Sequence, residues 1–141
     1  MVDGQRPGRL PAWHLLRIAT AVNFLLHGAV RIFGDWAGFA EQVGDSFEST
    51  WVPVSLATLI AWLIPPIELL AGAWLLTGWR AQQALLFLGG LMILLLSGTC
   101  LQQEWSTVGT QMVYLLILSV LLRETPAPAV DSPEAQSSTS G

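Results

Sequence analysis

Long apolar runs separated by short polar breaks dominate this chain. Ala81 to Gln103 carries no charged residue and includes LLFLGGLMILLLSGTC. A bilayer core about 30 Å thick needs about 20 apolar residues in a helix, so this run predicts a membrane span over 81–103. Trp105 to Leu122 is also free of charge and ends at Arg123, which predicts a span over 105–122. Val54 to Thr77 predicts another, over 54–77, interrupted by Pro65, Pro66 and Glu68. The first predicted span, 13–34, is the most polar, because Arg17, His27 and Arg31 lie within it. A cleaved leader is the competing reading there, since Ala19–Ala21 has the small residues of a cleavage site. No apolar core of the usual length precedes that site and Arg17 adjoins it, so the segment is read as a span.

Between the first two spans, Trp36, Phe39, Ala40, Val43 and Phe47 recur at helical spacing among acidic residues. That pattern predicts a short amphipathic helix on the membrane surface or capping the bundle. Beyond Arg123 the chain turns to Pro, Ala and Ser, with too few large apolar groups to offset ordering entropy. Residues 124–141 are therefore expected to be a disordered tail. The predicted fold class is all-α: a four-span bundle over 13–123, preceded by a short segment, 1–12.

Composition agrees with the membrane class. The 141 residues are 52% hydrophobic and 11% charged, against about 25% charged in soluble domains. A net charge of −4 leaves no basic stripe for phosphates, which argues against nucleic acid. Cys100 stands alone, so no intrachain disulfide or Cys-x-x-Cys pair exists. Trp13, Trp36, Trp51, Trp79 and Trp105 fall near span ends, where indole rings favour the headgroup level. Arg6, Arg9, Arg80 and Arg123 flank one side of the bundle, while Asp35, Glu41, Asp45, Glu48 and Glu104 flank the other. The positive-inside rule then places both termini in the cytoplasm.

Candidate chemistry lies in the ionisable groups inside the spans, where a central charge costs about 2.5–3.5 kcal/mol on insertion scales. Arg17, Thr20, Phe24, His27 and Arg31 share one stripe of the first span, with Asn23 beside it. Glu68 lies about 21 Å from the start of its span at 1.5 Å per residue. Matching depths from the outer ends places it level with the Arg17–Asn23 stretch. It is then expected to reach Arg17 directly, or His27 through a water or shared ligand. Pro65 and Pro66 leave the carbonyls of Ala61 and Trp62 without donors and should kink the helix. Together with Glu68 these carbonyls would form one wall of a polar pocket; a purely structural kink with a buried ion pair is the alternative. On the last span Thr107, Thr110 or Gln111, and Tyr114 share a face. Gln111 and Tyr114 are the ligand candidates among them. His27 and Glu68 are too few for a metal site.

Three short motifs, HGAVR (His27, Gly28, Arg31), PIELLAG (Pro66 to Gly72) and LTGWRAQ (Leu76 to Gln82), resemble the DoxX-like family of four-helix membrane proteins, over about Leu15 to Leu122. The resemblance implies a bacterial-type membrane protein associated with quinone-dependent or oxidative-stress redox systems, with polar motif positions at His27, Arg31 and Glu68. The expected function is a small subunit of such a system, holding a quinone or similar polar-headed lipid. No haem, flavin or iron–sulfur motif occurs, so electrons would come from a partner protein. Two other functions stay open. One is a proton-coupled transporter built on a broken second span, with dimerisation supplying the missing half. The other is a non-catalytic assembly protein whose polar groups only fix helix register.

Overall fold

The computed structural model describes residues 12–125. Most of the expected N-terminal segment, with Arg6 and Arg9, and most of the expected tail lie outside the described residues. The chain forms α1 (Ala12–Phe33), α2 (Trp36–Asp45), α3 (Val54–Thr77), α4 (Ala81–Leu101) and α5 (Trp105–Glu124). There is no strand among the described residues. Helices α1, α3, α4 and α5 are each long and apolar enough to cross a membrane, with mean hydropathies of 1.3, 1.8, 2.3 and 1.6. This is a multi-pass membrane protein. Leu15, Leu59, Leu70, Ile93 and Leu116 are all exposed; in water they would be a liability, but they suit a lipid-facing belt.

Local chemistry sets the helix ends. The Asp35 carboxylate accepts from the Gly38 N–H at 2.9 Å, which caps α2. Gly78 closes α3 in the left-handed region at φ 74°, where a side chain would be strained. Helix α4 stops at Leu101 rather than Gln103, because Gln103 itself adopts φ 60° in the reversal to α5.

The spans alternate in direction, so the α1 C-terminus, α2 and the α4–α5 turn share one end. Helices α1 and α3 make the closest contact. A Cβ on Gly28 would strike the Pro65 carbonyl and Leu69, and one on Gly72 would strike the Leu25 backbone and Ala21. Each glycine thus lets the opposite backbone approach, as small residues do at membrane helix crossings.

Helix α3 runs without a break through Pro65 and Pro66. This corrects the expectation of a broken second span. The carbonyl of Trp62, freed by Pro66, accepts from the Trp36 indole N–H at 3.2 Å. The two indole rings also pack against each other, tilted at 48° with centroids 5.1 Å apart. Helix α2 therefore docks on the backbone group that the proline released, and Gly44 packs against Thr58 further along. An apolar core with Phe24, Leu75, Leu85, Leu88, Leu118 and Leu121 fills the bundle away from α2. The α2 end is left less tightly filled.

Candidate functional site

Glu68 is 4% exposed, and Arg31 donates to its carboxylate at 2.5 Å. The guanidinium also lies 4.5 Å over the Phe39 ring of α2. Arg31 is thus clasped between a carboxylate on α3 and an aromatic face on α2. His27, one turn before Arg31, donates from Nδ1 to the Asn23 carbonyl at 2.9 Å. That bond leaves Nε2 as the ring nitrogen available to a ligand.

These groups border a cavity of 190 Å³. Helix α1 contributes Asn23, Phe24, His27 and Arg31, and Glu68 is the one α3 residue in the wall. Met92 and Leu95 of α4 supply apolar lining. Thr107, Thr110, Gln111 and Tyr114 bring a polar file from α5. The Gln111 amide oxygen lies 2.7 Å from the Thr99 hydroxyl on α4, and the Tyr114 ring packs against Phe24 at 6.1 Å. Six of the seven sequence candidates therefore surround one space: Asn23, His27, Arg31, Glu68, Gln111 and Tyr114. Thr107 and Thr110, which share that face of α5, also line it. Phe39 was missed, although an aromatic at helical spacing opposite a charged stripe is a usable signal.

Arg17 is the exception and does not pair with Glu68. Its guanidinium packs against Gly78, ten residues beyond Glu68 along α3, or about 15 Å at 1.5 Å per residue. The depth estimate failed because α3 extends past the end of α1, and α2 covers the overhang. Glu68 consequently lies level with His27 and Gly28. At Gly78 the arginine meets the negative end of the α3 dipole, which suits a cation. The freed Trp62 carbonyl is likewise absent from the cavity wall, being taken by Trp36.

A second, larger cavity of 440 Å³ adjoins the first and shares Arg31, Leu95, Thr107 and Gln111 with it. Its roof is the α2 segment and the Trp51–Pro53 turn, and its walls are the first turns of α3 and the last turns of α4. Arg31 is its one charged lining residue. Among the described residues, no group of three or more His, Cys, Asp or Glu side chains gathers as a metal site would.

A model of the family described as methylamine utilisation protein MauE matches residues 10–110. The chain belongs to that family. The MauE match takes in α1 to α4 and the first six residues of α5, hence every cavity residue except Gln111 and Tyr114. It confirms a small integral membrane family, as the HGAVR and PIELLAG motifs implied, under the MauE description. No curated protein and no solved structure gives a significant match.

Proposed function

We propose that this MauE-family chain is a small membrane component of a redox-linked system, and that its polar cavity holds the headgroup of a quinone or similar lipid. The observation carrying this is the Arg31–Glu68 pair opening on a polar cavity inside the spans. A structural ion pair alone gives no reason for an imidazole, an amide and a phenol to converge on open space beside it. A cavity of about 150 Å³ accommodates benzene, so 190 Å³ suffices for a six-membered ring. Arg31, Gln111 and Tyr114 offer hydrogen-bond donors to ring carbonyls. Glu68 and His27 can exchange protons with a quinone that takes up two electrons and two protons; the electrons come from a partner protein. The family description suggests that this partner belongs to methylamine utilisation. A bare methylammonium ion is a poor occupant, because Arg31 already neutralises Glu68.

Kinship with the DoxX-like proteins belongs to the same proposal. Its support is that HGAVR places Gly28 against α3 and His27 and Arg31 at the cavity, while PIELLAG supplies Glu68 and Gly72. The orientation with α2 outside is supported by the arginine bias, and a bacterial inner membrane by the family resemblance. The carrier alternative loses its main support with the unbroken α3.

The test is titration of the purified protein in lipid nanodiscs with a decyl-substituted benzoquinone. Saturable binding is expected, weakened at least tenfold in Glu68→Gln and His27→Ala while both variants retain their helix content. Absence of saturable binding, or equal binding by both variants, would refute the proposal.

A further inference from the structure

We infer that the larger cavity is the seat of the ligand's apolar tail, so that the occupant is a single amphiphile spanning both cavities. This rests on the headgroup proposal and adds the class of molecule. Continuity comes first: Arg31, Leu95, Thr107 and Gln111 line both spaces, and a ligand held at one wall of Arg31 has the other space as its exit. Size comes second, since 440 Å³ falls within the roughly 300–1,000 Å³ of ligand pockets. Chemistry comes third. Polar groups crowd the smaller space, whereas Phe39, Val43, Phe47, Ile60, Ile64 and Leu94 dominate the larger. This division matches a polar ring on an apolar chain. The chamber also explains the use of α2. By docking on Trp62 it roofs a space that close packing of α3 and α4 would otherwise eliminate.

Gly98 lines the chamber but not the polar cavity. A Cβ there meets Phe47 at 3.4 Å, an ordinary contact, so Gly98→Leu fills the chamber from a tolerant helical position. Leu56→Trp does so from the opposite wall. The probes are a decyl-substituted benzoquinone and the same ring without the decyl chain, titrated into nanodiscs containing wild type, Gly98→Leu, Leu56→Trp and Glu68→Gln. Comparison among variants cancels partitioning into lipid. Filling the chamber is expected to weaken the decyl probe about tenfold and leave the tail-free ring unchanged, while Glu68→Gln weakens both. If both chamber variants bind the decyl probe as wild type does, the tail assignment is wrong and the headgroup site stands; ordinary lipid chains then fill the chamber. If wild type binds neither probe, the headgroup proposal itself has failed.

Discussion

Arg31 and Glu68 are each other's main compensation for leaving water. Removing one partner of a buried pair typically costs about 3–5 kcal/mol. Arg31 is 31% exposed, so Glu68→Ala should cost about 2–3 kcal/mol by thermal unfolding. Arg31→Met combined with Glu68→Leu should recover most of that loss. Equal stability of Glu68→Ala and wild type would mean that water, not Arg31, satisfies the carboxylate. The glycines divide just as sharply. Gly28→Ala and Gly72→Ala push a methyl into backbone and should lower the melting temperature. Gly89 and Gly90 have nothing within 4 Å of a new Cβ. Gly89→Ala and Gly90→Ala should be neutral or stabilising by up to about 1 kcal/mol. Spacing alone placed His27 and Arg31 on one stripe with Asn23 beside it, since helical periodicity is a local property. The partner of Glu68 was not legible, because pairing depends on how far one helix slides along another.

The helices themselves were nearly all readable, because span length and loss of charge fix them before any packing. Even α2 follows from five apolar positions at helical spacing. Its docking was hidden: the prolines showed which carbonyls would be free, but not that an indole from α2 would reach one. This contact has a clear test. Trp36→Phe keeps an aromatic face but loses the indole N–H and part of the ring contact, and the hydrogen-bond share of the loss should be about 0.5–1.5 kcal/mol. In a Pro66→Ala background the restored N–H at position 66 can bond the Trp62 carbonyl, so the same change should cost clearly less. An undiminished cost in that background would show that ring packing, and not the freed carbonyl, holds α2.

At the scale of the whole molecule, one end of the bundle is tightly filled and the other is left open under α2. The filled end buries Leu75, Leu85, Leu88 and Leu121; the open end carries both cavities. The orientation proposed for the bundle can be tested by thiol labelling in a Cys100→Ser background. Ser49→Cys in the α2–α3 turn should react with a membrane-impermeant maleimide in intact cells, and Trp79→Cys only after permeabilisation. The reverse pattern would invert the topology. The most direct test of an occupied intramembrane site is native mass spectrometry of the protein released gently from its own membrane. Wild type should carry a quinone-like lipid that Glu68→Gln has lost. Ordinary phospholipid adducts alone, identical in the two proteins, would contradict the site.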